Sequence, residues 1–116
     1  MEDGKQIRVQ ATALTPELAE VLRRLREAYE PERVYLFGSR ARGEAGPDSD
    51  YDLLLVVPDD APAERRDSTL AYRALRGTGV GADVIVWPHS RFEARKHVVC
   101  SLPATVLREG IVLDAA

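Results

Sequence analysis

The sequence predicts an α/β (α+β) fold in which helices pack on a small β-sheet. Short apolar runs alternate with segments whose apolar residues recur at helical spacing. Two of the runs, LLLVV and VIVW, are apolar throughout, so they need cover on both faces of a sheet. A chain of 116 residues is long enough for one such core and too short for two. We therefore expect a single domain over 1–116, with 1–13 as a flexible or edge segment.

The first predicted helix follows Thr15, which can cap it, and Pro16, which suits a first helical turn. Arginine and glutamate occupy one side of this segment and apolar residues the other, and Pro31 ends the pattern. The residues expected to face inward are Leu18, Val21, Leu22, Leu25 and Tyr29.

Three short runs rich in β-branched and aromatic residues are predicted to be strands, and Pro58 and Pro88 end the second and third. These strands are expected at 33–37, 50–57 and 82–87. A second helix is predicted over 64–77, with Gly77 as its C-terminal stop. The predicted order is therefore helix, strand, strand, helix, strand, helix.

The last predicted helix begins near Ser90 and Glu93, which have the spacing of a capping box. Pro103 is expected to divide the remaining tail into two short pieces. Side chains predicted to be buried in this half of the chain are Tyr72, Trp87 and Cys100.

Composition excludes several classes of function. No apolar run is long enough to span a bilayer, and the first ten residues lack the apolar core of a secretory signal, so we expect a cytoplasmic protein without membrane contact. The net charge of −3 argues against broad binding to a nucleic-acid backbone.

The metal-ligand inventory is equally restrictive. One cysteine, Cys100, and two histidines, His89 and His97, cannot build the usual zinc sites, and the histidines are expected near the surface or at helix ends. Any metal should be a hard cation held by oxygen, which suits Mg²⁺.

The 14-residue stretch from Gly38 to Tyr51 is too polar and too rich in glycine to belong to the core. We expect a functional loop with about one helical turn inside it. It is not a P-loop, because Glu44 stands where the lysine is required. The glycines of GTGVG, at 77–81, lack the spacing of a Rossmann turn and are interpreted as a helix stop and turn.

Two aspartates at the start of the second predicted strand are the main candidates for a metal site. Asp50 and Asp52 are two residues apart, so both point to one side of the strand, whereas Tyr51 and Leu53 point into the core. Asp83 opens the third strand in the same way and can join them if the strands are neighbours. Three carboxylates can hold two Mg²⁺ ions about 4 Å apart. The alternative is three exposed strand-end acids without a metal, which the preceding Gly-Ser loop makes the weaker interpretation.

The loop supplies candidate phosphate ligands. Gly38 lets the backbone approach a ligand, and the Ser39 hydroxyl can donate to phosphate oxygens, although Ser39 can equally cap a helix. Arg40 and Arg42 can add positive charge, and surface salt bridges are an equally good explanation for them. The carboxylates available for such salt bridges are Glu44 and Asp48. Metals beside a phosphate cradle indicate transfer from a nucleoside triphosphate.

The stretch GSRARGEAGPDSDYDLLL resembles the signature of the DNA polymerase β-type nucleotidyltransferase superfamily: Gly-Ser, a spacer, Asp-x-Asp and a third acid on a later strand. The ten residues between Ser39 and Asp50 are similar to the minimal nucleotidyltransferase (MNT) branch, as is the tail LREGIVLDA at 107–115. The resemblance implies a small mixed sheet of the polymerase β type. It also implies transfer of a nucleoside monophosphate, usually AMP from ATP, with release of pyrophosphate.

The resemblance further implies roles for particular residues. Gly38 and Ser39 would bind the triphosphate. Asp50 and Asp52 would ligate both metal ions, and Asp83 would ligate the catalytic one and help to deprotonate the attacking hydroxyl.

MNT proteins often act as antitoxins that modify a hydroxyl of a HEPN ribonuclease toxin, in the best-understood cases a tyrosine. The chain has no room for an acceptor-binding domain, so a partner protein, in a homo- or hetero-oligomer, is expected to bring the acceptor. Two alternatives stay open. One is a binding module that neutralises its partner without catalysis, and the other is an enzyme acting on a small molecule or an RNA end with a partner subunit.

Overall fold

The computed structural model describes residues 15–115, and the expectation for 1–13 lies outside them. The helices are α1 (Pro16–Tyr29), α2 (Gly38–Arg42), α3 (Thr69–Ala74), α4 (His89–Arg95) and α5 (Leu102–Glu109), with a 3₁₀ turn at Ala63–Arg65. The strands are β1 (Arg33–Phe37), β2 (Tyr51–Val57), β3 (Ala82–Pro88) and β4 (Ile111–Ala115). In this described part of the chain, no helix is both long and apolar enough to cross a membrane.

The four strands form one sheet in the order β3-β2-β1-β4. β1 is antiparallel to both β2 and β4, whereas β2 and β3 are parallel. The small mixed sheet is therefore confirmed. The strand β4 was not among the strands predicted from apolar runs.

Helices cover both faces of the sheet, as the uniformly apolar strands require. One face packs against α1 and α3 through residues such as Leu53, Leu55 and Val84. The other packs against α4 and α5, where Tyr35 stacks on Phe92 with ring centroids 5.7 Å apart. Alternate residues of β2 thus enter different cores.

The first helix follows its predicted pattern. Thr15 Oγ1 accepts the N–H of Leu18 at 3.2 Å, and the helix ends at Glu30, whose φ of 47° is left-handed. All five predicted inward residues are buried: Leu18, Val21, Leu22, Leu25 and Tyr29.

The helix predicted over 64–77 is much shorter than expected. It is replaced by the 3₁₀ turn and α3, because the Asp67 carboxylate accepts the N–H of Thr69 at 2.9 Å and starts the helix there. Ala71 is buried against the core, whereas Tyr72 is 66% exposed, so its predicted burial is wrong. Gly77 has a left-handed φ of 86°, but α3 already ends at Ala74 with Leu75 as its C-cap, so the prediction that Gly77 stops this helix is wrong.

The predicted capping box at Ser90 and Glu93 is also wrong. α4 begins at His89, and the N–H of Ser90 donates to Asp59 Oδ1 at 2.8 Å. The Glu93 carboxylate pairs instead with Arg33 and Lys96. The start of α4 is therefore capped by the carboxylate of Asp59, which is distant in the sequence, and not by the side chain of Ser90.

The tail divides near Pro103, which lies in the first turn of α5. Ser101 Oγ caps this helix by accepting the N–H of Ala104 at 3.2 Å and donates to Arg95 O at 2.6 Å. Cys100 is exposed in the preceding turn, which contradicts its predicted burial. Trp87, on β3, is partly buried and carries the Arg91 guanidinium 4.8 Å above its ring.

Candidate active site

The three predicted acids lie together at one end of β2 and β3. Asp52 pairs in the parallel ladder with Asp83 on β3 and lies opposite Phe37 on β1. Asp50 immediately precedes β2, with its side chain exposed. Tyr51 and Leu53 are buried in the opposite core, as predicted. Strand alternation and register therefore direct the carboxylates of Asp52 and Asp83 to one face of the sheet, whereas Asp50 lies just outside the ladder.

The electrostatics of Asp52 reflect this grouping. Burial is the main cause that raises the pKa of Asp52 above its ordinary value, and the charges of Asp83 and Asp50 raise it further. The Arg42 charge opposes them. Asp52 is therefore a partly buried carboxyl group that two neighbouring acids and one arginine affect in opposite directions.

Gly38 directly supports Asp52. A Cβ on Gly38 would overlap Oδ2 of Asp52 and would lie 3.1 Å from its Cγ. The φ of Gly38, 75°, is also left-handed, so glycine is required for both space and conformation. The turn at Gly38 and the carboxylate of Asp52 are therefore in direct contact.

Ser39 lies inside α2, which starts at Gly38, and Phe37 occupies the N-cap position. The alternative role of Ser39 as an N-cap is thus wrong. Among residues 15–115, no hydrogen-bond partner is found for its hydroxyl. The backbone carbonyl of Ser39 accepts the N–H of Glu44 at 2.9 Å, which closes the helix.

The two arginines of α2 have different surroundings. Arg40 donates to Ser49 O through Nε at 3.1 Å and Nη2 at 2.6 Å, and its guanidinium lies 4.3 Å from the Tyr51 ring centroid. Arg42 is more exposed and donates to Glu44 Oε1 at 2.9 Å. Arg40 therefore ties the loop to the start of β2, and the salt bridge considered for Arg42 is present.

Gly81 contacts the site and was missed in the sequence, where 77–81 was interpreted as a helix stop and turn. A Cβ on Gly81 would overlap Oδ1 of Asp50, and Gly81 O accepts the N–H of Tyr51 at 3.0 Å. The one sequence feature that could have indicated this contact is the position of Gly81 directly before the predicted strand that carries Asp83.

A cleft of about 500 Å³ opens beside Asp50. The first turn of α1, the loop 47–51 and the turn 79–81 line it, with Arg40 and Tyr51 at its wall. Space for a ligand group therefore adjoins Asp50, whereas Asp52 and Asp83 do not line the cleft.

The two histidines are remote from the acids. His89 follows β3 at its far end and makes a 2.6 Å hydrogen bond between Nδ1 and Glu32 Oε1. His97 is exposed in the turn after α4. These positions match the predicted surface and helix-end locations.

The family model of the nucleotidyltransferase domain matches residues 18–113. The chain belongs to this family. No curated protein sequence matches the chain significantly.

Solved structures resemble this nucleotidyltransferase domain in fold. A toxin–antitoxin crystal structure with AMP-PNP has a TM-score of 0.61 and 21% identity, and covers 88% of this chain and 75% of the other. A mutant of the toxin–antitoxin MntA–HpeT with two Asp-to-Glu substitutions has a TM-score of 0.55 at 19% identity, with coverage of 88% and 75%. These matches confirm the predicted small mixed α/β fold, which this chain shares with toxin–antitoxin proteins of the MntA type.

The donor set of this nucleotidyltransferase domain fits a hard divalent cation. Asp50, Asp52 and Asp83 offer carboxylate oxygens at one end of the sheet, and burial together with the charges of Asp83 and Asp50 raises the pKa of Asp52. Within residues 15–115, no three His, Cys, Asp or Glu side chains already stand in a ligand cluster. The carboxylates must therefore rotate toward one another to bind a metal.

Proposed function

We propose that this nucleotidyltransferase domain is a Mg²⁺-dependent enzyme that transfers AMP from ATP to a hydroxyl of a partner protein, a HEPN-type toxin. The observation that carries the proposal is the placement of Asp52 beside Asp83 in the ladder and against Gly38 in the adjoining turn. Acids and a candidate phosphate-binding turn are then in contact, as phosphoryl transfer requires.

In this proposal Asp50 and Asp52 would hold two Mg²⁺ ions, and Asp83 would hold one of them. The bound ions would neutralise charge on the triphosphate and on the attacking oxygen. Asp83 accepts the proton of the acceptor hydroxyl. The hydroxyl oxygen forms a bond to the α-phosphorus while the bond to the β-phosphate oxygen breaks, so that AMP is transferred and pyrophosphate leaves.

The loop residues bind the triphosphate in this scheme. The Ser39 hydroxyl, which has no partner among the described residues, donates to a phosphate oxygen beside the Gly38 backbone. Arg42 adds positive charge by exchanging its exposed Glu44 partner for phosphate. Arg40 adds its charge from a fixed position against Ser49 and Tyr51.

The fold matches support the choice of nucleotide and partner. One similar structure is a toxin–antitoxin with AMP-PNP, an ATP analogue. In the mutant MntA–HpeT structure the two substituted aspartates are two residues apart, as Asp50 and Asp52 are here. The acceptor is proposed to enter from the partner, and the cleft beside Asp50 offers space for an acceptor or nucleotide group.

The test is transfer of label from α-labelled ATP with Mg²⁺ to the protein encoded by the neighbouring gene. Wild type should label the partner, and Asp52→Asn should not. Asp60→Asn, a change at an exposed turn remote from the acids, is the matched control and should label normally. An unlabelled partner with wild type, or equal labelling by Asp52→Asn, contradicts the proposal.

A second candidate is neutralisation of the partner by binding without catalysis. It is favoured by the lack of a preformed ligand cluster among the described residues. If the double substitution Asp50→Ala and Asp52→Ala still protects cells from the partner toxin, binding is sufficient. If protection is lost while the complex still forms, catalysis is required.

A further inference from the structure

Asp50 differs from the other two acids because it lies outside the strand ladder. Its neighbours are nevertheless fixed: the Ser49 carbonyl accepts two hydrogen bonds from Arg40, and the Tyr51 N–H donates to Gly81 O at 3.0 Å. The main chain at Asp50 is thus held from both sides. Its side chain is exposed, so a separate contact must orient the carboxylate.

That contact is the α-carbon of Gly81. A Cβ at this position would overlap Oδ1 of Asp50 and would lie 2.9 Å from its Cγ, so the carboxylate occupies the volume that a side chain would fill. Steric contact with Gly81 and the hydrogen bond to its carbonyl therefore place Asp50 against one residue of the turn before β3.

The backbone of Gly81 gives no other reason for a glycine. Its φ lies outside the left-handed region, in contrast to those of Gly77 and Gly79 in the same turn. Gly38 has the same steric relation to Asp52, but its φ of 75° would strain any substitution. The steric role can therefore be isolated at Gly81.

We propose that Gly81 is a positioning residue that sets the orientation of the Asp50 carboxylate for metal binding, through the space left by its missing side chain. The proposal rests on the proposed function, since it assigns Asp50 to the metal site. A methyl group at position 81 displaces the carboxylate, while the chain keeps its hydrogen bond from Tyr51 and its backbone conformation.

The test compares Gly81→Ala with Gly46→Ala. Gly46 is the matched control because its φ is not left-handed and no atom lies within 4 Å of an added Cβ. Gly81→Ala should lower kcat by about 100-fold, the effect of a misplacement of about 1 Å. Its unfolding temperature should stay within about 3 °C of wild type. Gly46→Ala should change neither quantity.

Two readouts do not depend on transfer activity. The carbon-13 resonance of the Asp50 carboxyl group should shift in Gly81→Ala and not in Gly46→Ala. Binding of Mn²⁺ alone, measured by electron paramagnetic resonance, should weaken in Gly81→Ala. In an Asp50→Ala background, Gly81→Ala should cause no further weakening, because the displaced carboxylate is absent.

An unchanged Asp50 resonance, or an equal loss of Mn²⁺ affinity in the Asp50→Ala background, would overturn the positioning role. If Gly81→Ala does not fold, adding Asp50→Ala should restore folding, and failure to do so also overturns it. Absence of AMP transfer by wild type would instead reject the proposed function, and the Asp50 resonance would still decide the role of Gly81.

Discussion

Asp52 carries a negative charge at a position where the fold disfavours one. It is half-buried, and two further carboxylates approach it from β3 and from the residue before β2. Because the pKa of Asp52 is raised, the folded chain holds its proton more tightly than the unfolded chain does. Its ionised form therefore lowers the free energy of unfolding at neutral pH.

Asp52→Asn should accordingly stabilise the protein while abolishing AMP transfer. The stabilising contribution of protonated Asp52 is fully present below the unfolded-state pKa, about 4, and is lost as the pH rises through the raised folded-state pKa. We expect an unfolding temperature about 2–4 °C above wild type at neutral pH, and a smaller difference in acid. Thermal unfolding followed by circular dichroism at several pH values measures both.

Asp60→Asn again serves as the control for removing one negative charge far from the acids. An equal rise in the unfolding temperature of both variants would show that the stabilisation comes from the change in net charge, and not from the burial of Asp52 and its repulsion by nearby acids.

At the residue scale, the sequence predicted that Asp83 could lie beside Asp52 on a neighbouring strand, which the ladder bears out, and it missed Gly81. The two-residue spacing of Asp50 and Asp52 determines their common side on any strand, and Asp83 opens the next one. The contact of Gly81 with Asp50 depends on the parallel register of β2 and β3, in which Tyr51 pairs with Ala82. No local sequence pattern contains that register.

At the scale of elements, local signals predicted α1 well and the later helices poorly. The cap and apolar face of α1 lie within its own sequence, from Thr15 onward. The start of α4 depends on Asp59, which is remote in the chain, and Asp67 shortens α3. The strand β4 lies at the edge of the sheet and pairs with β1 alone among the described strands. Its apolar run, IVL, is too short to give a clear periodic signal in the sequence.

Ser90 and Ser101 test whether a helix start depends on its own serine side chain or on a carboxylate that is distant in the sequence. Ser101→Ala should destabilise the protein by about 1–2 kcal/mol, because its buried hydroxyl caps α5 and donates to Arg95 O. Ser90→Ala should be close to neutral, because Ser90 is bound through its backbone N–H. Urea unfolding monitored by circular dichroism measures both, and an equal loss in the two variants would contradict the observed caps.

The whole molecule explains why residues far apart in sequence form one site. The parallel pairing of β2 and β3 brings their first residues to the same end of the sheet, while β1 delivers the Gly38 turn to that end from the opposite direction. The family resemblance predicted the small mixed sheet, but the adjacency and the directions of these strands were not predicted from the sequence. The cleft was not predictable from local sequence patterns, because α1 and two loops that are distant in the sequence line it jointly.

Ligand binding at that end should stabilise the entire domain. AMP-PNP with Mg²⁺, at about 100 times its Kd, should add about 2.7 kcal/mol to the free energy of unfolding, since the unfolded chain lacks the site. Scanning calorimetry should show a higher unfolding temperature that EDTA reverses. The Asp50→Ala, Asp52→Ala double variant should show no such rise; a rise equal to that of wild type would place the nucleotide elsewhere.

The position of Trp87 has a practical consequence. It is the single tryptophan of the chain, and it lies on the same strand and the same face as Asp83, beneath the Arg91 guanidinium. Its indole emission therefore reports from the strand that carries one of the acids. Stopped-flow fluorescence can follow strain or melting of β3 in real time without an attached dye.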